Sequence, residues 1–275
     1  MTSPLKLGLI VGLTEDIESH FREVVAFGLE TCQLCCWEPG QLTSDMAGRV
    51  RDASRATGVE VSAFWAGHTG KTVWNFLEGP TTIGLVPEAT RAQRLAELKI
   101  GSDFTAMIEA PSMATHVGFI DENPNSQAYG EVVSALTELA RHCEGNGHEF
   151  LFETGQETPV TLLRTMQDIG TSNLGVNLDP ANLILYGKAN PVDALDVIGS
   201  YVRGVHAKDG LYPTDGRALG EEVPLGEGKV DFPRLIKALR ATGYRWPITI
   251  EREISGPQLA EDIRQAIELL KPLVA

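Results

Sequence analysis

Four segments in the second half of the chain decide the fold: 148-HEFLFE-153, 174-LGVNLD-179, 202-VRGVH-206 and 247-PITIE-251. Each is a short apolar run, which is typical of a parallel strand buried on both faces. Each ends in a residue that can bind a metal ion, namely Glu153, Asp179, His206 and Glu251. This repetition predicts four parallel strands whose carboxyl ends lie side by side.

The rest of the chain continues the same alternation of strand and helix. Strands are predicted at 5–12, 30–37, 59–66, 114–120, 149–153, 174–179, 202–206 and 247–251. Helices are predicted at 16–27, 42–57, 88–109, 126–144, 159–169, 192–198, 231–241 and 258–270. Eight such units in 275 residues favour a single (β/α)8 TIM barrel spanning residues 1–275. The first strand is not followed by GxGxxG, so a dinucleotide-binding fold is not favoured.

Composition restricts the kinds of partner that we expect. The chain has 23 Lys and Arg against 37 Asp and Glu, a formal net charge of −14. Such a chain repels a phosphate backbone at long range, which disfavours nucleic acid. No apolar stretch approaches the length of a membrane span, and no secretory signal is recognisable. Three of the four cysteines lie in 31-TCQLCCW-37, which predicts buried thiols on a strand in a reducing, cytoplasmic setting.

The four strand-end residues form a candidate metal site. Their spacings are 26, 27 and 45 residues, and the last is longer because an irregular loop occupies 210–229. In barrels of this type the chemistry lies at the carboxyl ends of the strands. Three carboxylates and one imidazole suit Mn²⁺, Mg²⁺ or Co²⁺, and Zn²⁺ is also acceptable. Because three facing carboxylates repel one another, the set itself favours one bound divalent ion.

Longer segments of the same region resemble the sugar phosphate isomerase/epimerase family. This family consists of xylose-isomerase-like barrels and includes ketose 3-epimerases and endonuclease IV. The resemblance rests on FETGQETPVTLL (152–163), VNLDPANLILYG (176–187), VHAKDG (205–210), PLGEGKVDF (224–232) and PITIEREISG (247–256). It extends less specifically to THVGFI (115–120) and VWNFLEGP (73–80).

The resemblance implies a reaction and a role for each residue of the metal site. In ketose 3-epimerases of this group a Glu, Asp, His and Glu set holds one metal ion, and those positions match Glu153, Asp179, His206 and Glu251. The resemblance further implies that the two glutamates act as the acid–base pair, with Mn²⁺ as the first expected ion. The implied activity is isomerisation or epimerisation of a small keto-sugar or polyol-derived ketone through an enediolate. It also implies a homodimer or homotetramer.

Residues near the strand ends are candidates for binding the substrate: His116, Glu157, Asn182, Lys208 and Arg217. Asn182 stands three residues after Asp179, where ketose epimerases have a His, so the substrate class stays open. Arg217 follows His206 at a greater distance than the Arg of those epimerases. Asp209 is expected to orient the imidazole of His206. Three tryptophans are candidates for an apolar wall against the sugar, namely Trp37, Trp65 and Trp74.

Other functions remain as alternatives with less support. The same removal of a proton beside a carbonyl becomes elimination when a leaving group is one carbon away, so a metal-dependent lyase or dehydratase is the main alternative. DNA repair of the endonuclease IV type needs more metal-binding histidines than are well placed here, and the acidic charge opposes it. A non-catalytic sugar-binding barrel is disfavoured because both glutamates of the implied acid–base pair are present.

Overall fold

Eight parallel strands close into a barrel in the computed structural model, which describes residues 3–275. They are β1 (Leu7–Gly12), β2 (Thr31–Cys36), β3 (Glu60–Ala66), β4 (Ser112–Thr115), β5 (Glu149–Glu153), β6 (Leu174–Leu178), β7 (Val202–Ala207) and β8 (Ile248–Ile250). Each strand pairs with its neighbours along the chain, and β1 closes the barrel against β8 with Leu9 opposite Ile250. The predicted (β/α)8 barrel is confirmed.

Helices follow the strands and cover the outside of the barrel. They are α1 (Ile17–Ala26), α2 (Ser44–Thr57), α3 (Gly79–Thr82), α4 (Glu88–Met107), α5 (Gln127–Gly145), α6 (Pro159–Ile169), α7 (Pro180–Leu185), α8 (Pro191–Ile198), α9 (Phe232–Ala241) and α10 (Pro257–Val274). Side chains cap several of them, as where Ser126 accepts a hydrogen bond from the Tyr129 N–H at the start of α5. Within residues 3–275, no helix is both long enough and apolar enough to cross a membrane.

Three features differ from the sequence prediction. Strand β4 ends at Thr115 rather than at residue 120, because the chain then turns through Gly118, whose φ is +104°, and the Val117 carbonyl accepts from Leu85. Helices α3 and α7 were not predicted, since they are only four and six residues long. A two-stranded antiparallel ribbon, 209–210 with 222–223, was also missed, because its strands are two residues each.

Alternation along the strands separates an apolar shell from a more polar barrel interior. In β5, Phe150 and Phe152 pack in the large core that the helices share, whereas Leu151 belongs to a small interior cluster with Trp65 and Ala114. Burying each phenylalanine contributes about 1.5–3 kcal/mol, so the outward face holds the strand in place. The inward register therefore fixes where Glu153, two residues after Leu151, enters the mouth of the barrel.

Candidate metal centre

The four predicted strand-end residues meet at the mouth of the barrel. One ligand atom from each of Glu153, Asp179, His206 and Glu251 lies within 4.8 Å of the corresponding atoms of the others. His206 Nδ1 stands at the centre, 3.0 Å from Glu153 Oε1, 2.9 Å from Glu251 Oε2 and 3.8 Å from Asp179 Oδ2. Ligands on opposite sides of a cation at 2.1–2.4 Å are about 4.2–4.8 Å apart, so the set has the dimensions of a single-ion site.

A polar layer inside the barrel orients the imidazole of His206. Its Nε2 atom makes a short contact with Gln33 Oε1 and lies 3.0 Å from Asn177 Nδ2, while Gln33 Nε2 donates to Asn177 Oδ1 at 3.1 Å. Gln33 Oε1 can only accept, so Nε2 carries a proton and Nδ1 is the nitrogen that faces the carboxylates and is left for a cation. Gly204 makes room for this layer, since a Cβ there would lie 2.3 Å from Asn177 Oδ1.

Asp209 does not orient this imidazole, and the expectation that it would is wrong. Its carboxylate instead accepts hydrogen bonds from the backbone N–H groups of Gly210, Gly226, Gly228 and Val230, at 2.8–3.0 Å. A Cβ at Gly228 would lie 2.0 Å from Asp209 Oδ1, which explains the glycine in the segment LGEGK. The buried carboxylate thus anchors the loop after β7, because four N–H donors satisfy it.

Asp179 is held by the start of α7. Its Oδ1 accepts from the Asn182 N–H at 2.9 Å as the N-cap of that helix, and its backbone exchanges two hydrogen bonds with the Thr154 hydroxyl. These contacts use Oδ1 and the main chain, which leaves Oδ2 directed to the cluster. The residue that ends β6 therefore both starts a helix and supplies one ligand atom.

Glu153 is fixed by a side chain of strand β3 and by the residue that follows β4. The indole N–H of Trp65 donates to Oε2, and His116 Nε2 lies 3.6 Å from Oε1. Burial opposes ionisation of this carboxyl, but His116 and His206 outweigh it and lower its pKa. The side chain is therefore an anchored carboxylate with one oxygen left for the cluster.

Glu251 lies beside a buried lysine. Lys208 Nζ is 3.5 Å from Glu251 Oε2, 3.7 Å from Asp179 Oδ2 and 3.2 Å from Glu253 Oε2. Burial alone would lower the pKa of Lys208, but Glu251, Asp179 and Glu253 outweigh it and raise that pKa well above its ordinary value. The pKa of Glu251 is held low against burial by Lys208 and His206. Lys208 is thus a fixed positive charge beside the cluster.

The loop after β8 is tied to its surroundings by Arg252. Its guanidinium pairs with Glu222 of the ribbon at 2.8 Å and with Asp262 of α10 at 2.7 Å. The backbone N–H of Glu253 also donates to Glu222, at 3.1 Å. These contacts fix the backbone on the C-terminal side of Glu251, so the ribbon contributes to the position of that carboxylate.

Three atoms of the cluster are buried without a hydrogen-bond partner in the described part of the chain, as expected of atoms that bind a cation. Among residues 3–275, His206 Nδ1, Asp179 Oδ2 and Glu251 Oε2 are buried yet make no hydrogen bond of acceptable geometry. Burial would lower the pKa of His206, but Glu251 and Glu153 raise it well above its ordinary value, so a proton on the imidazole offsets the carboxylates. Three carboxylate oxygens and one imidazole nitrogen form a donor set for a hard divalent ion, which would replace that proton.

A cavity of about 330 Å³ opens beside the cluster. Its lining includes Glu153, Glu251 and three tryptophans, namely Trp37, Trp65 and Trp74. Trp37 packs on Trp65 with ring centroids 4.8 Å apart and on Trp74 at 6.2 Å, which forms a continuous aromatic wall. Asp179 and His206 are fully buried. The two glutamates are therefore the cluster residues that reach the cavity.

The residues predicted to bind substrate fall into two groups. His116 lines the cavity between Trp65 and Trp74, and Lys208 is buried at the cluster. Glu157 and Asn182 are buried near the ends of β5 and β6. Arg217 instead lies in the exposed loop between the ribbon strands, where its backbone N–H donates to Asp215. The structure therefore does not bring Arg217 together with the other four.

Sequence reasoning missed the two amides beneath His206. Gln33 and Asn177 lie in strand segments that are otherwise apolar, TCQLCC and LGVNL, and both are almost fully buried. A polar amide in such a strand must find partners inside the barrel, because an unpaired buried amide is costly. That isolated polar position is the signal that could have identified them.

Comparison with known proteins places the chain in a family. The family model described as xylose isomerase-like TIM barrel matches residues 21–273. The crystal structure of a xylose isomerase domain protein from Planctomyces limnophilus is 35% identical, with a TM-score of 0.91 and 98% of each chain covered. An uncharacterized protein from Methanocaldococcus jannaschii is 26% identical over 181 residues, which span 61% of this chain and 60% of that relative's length.

More distant structures share the fold. A D-psicose 3-epimerase, crystallised in the presence of D-fructose, is 15% identical with a TM-score of 0.72 over 98% of this chain and 99% of its own. A xylose isomerase-like TIM-barrel protein from Mycobacterium smegmatis, in complex with magnesium, is 18% identical with a TM-score of 0.69 over 100% and 98%. At these identities the likeness concerns the fold alone. On the family model and the Planctomyces structure, the chain belongs to the xylose isomerase-like TIM-barrel family.

Proposed function

We propose that the protein is a divalent-metal-dependent isomerase or epimerase that acts on a small keto-sugar or polyol-derived ketone. One observation carries the proposal: of the four cluster residues, the two glutamates reach the cavity, while Asp179 and His206 are fully buried. Residues that only held an ion would have no reason to divide in this way. Two carboxylates at an ion site, facing a cavity of sugar size, suit proton transfer beside a carbonyl.

The two glutamates approach the cavity from different parts of the barrel. Glu153 ends β5 and Glu251 follows β8, three strands further round the barrel. Epimerisation needs one group to remove a proton from one face of the substrate and another to return it to the opposite face. We assign those two roles to Glu153 and Glu251, which positions on separate strands allow.

A bound divalent ion would supply Lewis-acid stabilisation of the negative charge that develops on the substrate oxygens. Glu153, Asp179, His206 and Glu251 would hold it, and Mn²⁺ is our first candidate. Gln33 keeps the lone pair of His206 directed to the site, and Trp65 keeps the Glu153 carboxylate oriented. The tryptophan wall offers an apolar surface to the carbon face of a sugar, as such walls do in carbohydrate sites.

His116, Glu157, Asn182 and Lys208 are proposed to contact the substrate. His116 lies between the wall and Glu153, where it can donate to a hydroxyl group. Arg217 would reach the substrate only if its exposed loop moved. An assembly into dimers or tetramers stays a prediction, which sedimentation of the purified protein tests.

A metal-dependent lyase or dehydratase remains the second candidate. Its first step is the same proton removal, and the outcome then depends on whether the substrate carries a leaving group on the next carbon. Known barrels of this fold include both kinds of enzyme, since a 3-keto-D-glucoside 4-epimerase and a probable 3-DHS dehydratase have TM-scores of 0.71 and 0.68. Product analysis separates the candidates, because isomerisation keeps the molecular formula and elimination loses water or an alcohol.

Solvent deuterium exchange tests the proposal. Ketoses, keto-inositols and 3-keto-glycosides are incubated with the protein and Mn²⁺ in D₂O and followed by NMR. We expect metal-dependent exchange at a carbon beside the carbonyl, reduced at least about 10²-fold in Glu153→Gln and in Glu251→Gln. Glu131→Gln is the matched control, since Glu131 on α5 forms an ion pair with Arg91 on α4, outside the cluster. Absence of exchange on every compound, with Mn²⁺ bound, would refute an isomerase.

A further inference from the structure

A second group of unsatisfied polar atoms lies beside the metal centre. Within residues 3–275, both side-chain atoms of Gln156, the Oε2 atom of Glu157 and the hydroxyl of Tyr186 are buried without a hydrogen-bond partner. Gln156 and Glu157 are 1% and 4% exposed. Native proteins rarely leave such groups unpaired, because each loses its hydrogen bonds to water on burial. Four orphaned atoms in one region therefore point to a ligand.

The group follows strands other than those that carry the tryptophan wall. Gln156 and Glu157 follow β5, and Tyr186 comes directly after α7, whereas Trp37 follows β2, Trp65 lies in β3 and Trp74 lies in the loop after β3. Gly155 joins the group to the site, since a Cβ there would lie 3.4 Å from His116 Cε1. Burial raises the pKa of the Tyr186 phenol and the charge of Lys208 opposes that rise, so the two side chains lie close together.

The charge state of the group favours uncharged hydroxyls as its partners. Burial raises the pKa of Glu157 to about 8 and that of Tyr186 to about 12, so both are protonated donors at neutral pH. Gln156 adds one donor and one acceptor, and it makes no hydrogen bond of ordinary geometry to the phenol. The buried cation beside it, Lys208, is already shared among three carboxylates, and the charge of half-buried Lys188 reaches Glu157. Side chains that donate and accept hydrogen bonds without a charge of their own suit hydroxyl groups.

We propose that Gln156, Glu157 and Tyr186 form a subsite that binds hydroxyl groups of the substrate which do not contact the metal ion. The proposal rests on the proposed function and deepens it, because the substrate must then carry hydroxyl groups beyond those near the ion. Hydrogen bonds from this subsite and contacts with the aromatic wall would together hold the sugar.

Tyr186→Phe tests the subsite, because it removes only the orphaned oxygen. A hydroxyl that lacks a partner in the free protein contributes nothing to folding, so the melting temperature should stay the same or rise. Its loss should raise KM for the ketose that exchanges fastest by about three- to tenfold, the fold-change that one neutral hydrogen bond gives. Tyr129→Phe is the matched control: its hydroxyl donates to Asp168 at 2.5 Å, so this variant should melt lower and keep its KM.

Deoxy analogues of that ketose identify the hydroxyl concerned. The analogue that lacks this hydroxyl should bind the wild type as weakly as the complete ketose binds Tyr186→Phe. The same analogue should bind Tyr186→Phe no more weakly than it binds the wild type. A melting temperature that falls in Tyr186→Phe as it does in Tyr129→Phe, with KM unchanged, would overturn the subsite.

Calorimetry on the Mn²⁺-loaded protein separates the two proposals. Ketoses that bind without exchanging deuterium would refute the isomerase, and the affinities of Tyr186→Phe and Gln156→Leu would then decide the subsite. Exchange with unchanged KM in both variants would refute the subsite alone. Failure of the whole panel to bind or exchange would overturn both.

Discussion

Replacing Gln33 with leucine tests whether the tautomer of His206 controls cation binding. Gln33 Oε1 accepts from the Nε2–H of His206, and in the variant that oxygen is gone. The imidazole then either keeps Nε2–H without this acceptor or moves the proton to Nδ1. The second choice removes the lone pair that the cation needs, so both choices cost binding free energy.

The expected size follows from these contacts. A buried donor left without its partner costs about 1–3 kcal/mol. His206 is fully buried, so water cannot replace the lost acceptor, and Asn177 presents a nitrogen, Nδ2, to the same Nε2 atom. This cost falls on the tautomer that binds the metal ion. A loss of about 1.4–2.7 kcal/mol in binding free energy corresponds to a Mn²⁺ dissociation constant that is 10 to 100 times larger.

Competition with a fluorescent chelator measures that constant at one pH, with circular dichroism to confirm the fold. Thr115→Val is the control, because it removes another buried hydrogen bond of the barrel, to the Ala66 carbonyl at 2.7 Å, without touching the cluster. It should lower the melting temperature and leave Mn²⁺ binding unchanged. If Gln33→Leu binds Mn²⁺ as tightly as the wild type, His206 does not bind the ion through a tautomer set by Gln33, and our account of its orientation is refuted.

Three further predictions follow from the site. Glu157 has its pKa raised by burial from 4.5 to about 8, so the folded state keeps a proton that the unfolded chain loses between those values. The wild type should therefore lose stability relative to Glu157→Gln as pH rises from 4.5 to about 8, by on the order of 5 kcal/mol at about 1.4 kcal/mol per pKa unit; an equal difference in urea stability between the two proteins at pH 5 and at pH 9 would contradict this. Trp65→Phe removes the N–H that stabilises ionised Glu153, so the acidic limb of the pH–kcat profile should move to higher pH, and a profile that only scales down would indicate lost packing instead. Mn²⁺ at 100 times the wild-type dissociation constant should add about 2.7 kcal/mol to the free energy of unfolding, measured by denaturation. This gain should vanish with EDTA and in Asp179→Asn. An equal gain in Asp179→Asn would show that the ion binds elsewhere.

Strand ends were predictable where apolar runs stop abruptly at a polar residue. The bounds of β5 and α6 were predicted to the residue, 149–153 and 159–169, because each lies between clear boundary residues. Strand β4 was predicted too long, since THVGFI is apolar enough to continue a strand and only the tertiary contact of Val117 with Leu85 ends it. The local sequence pattern thus predicts the bounds of a strand or helix whose ends are polar. Where the ends are apolar, tertiary contacts set the bounds.

The four candidate metal ligands could be predicted because each stands at the carboxyl end of a strand. The residues that orient these ligands could not be predicted. Gln33 is 173 residues from His206 along the chain, and nothing in the local sequence links the two. Asp209 follows closely after His206, yet it binds a loop, because backbone N–H groups some 20 residues ahead fold back onto it. Closure of the barrel brings β2 across the interior from β6 and β7, and only the closed structure reveals which polar side chain faces the imidazole.

The charges at the mouth also favour one ion over several. Glu153, Asp179 and Glu251 bring three negative charges into a buried space, and Lys208 supplies one positive charge within 3.5–3.7 Å of two of them. A single divalent ion with neutral His206 then brings the cluster to electrical balance. A second or third ion would leave a net positive charge in a site largely shielded from water, which is costly, and would need ligands beyond these four. Lys208→Met should for this reason leave an excess negative charge, so that the variant binds Mn²⁺ more tightly than the wild type while it loses stability in the metal-free form; weaker Mn²⁺ binding in a folded variant would show that Lys208 supports the ligands rather than competing with the ion.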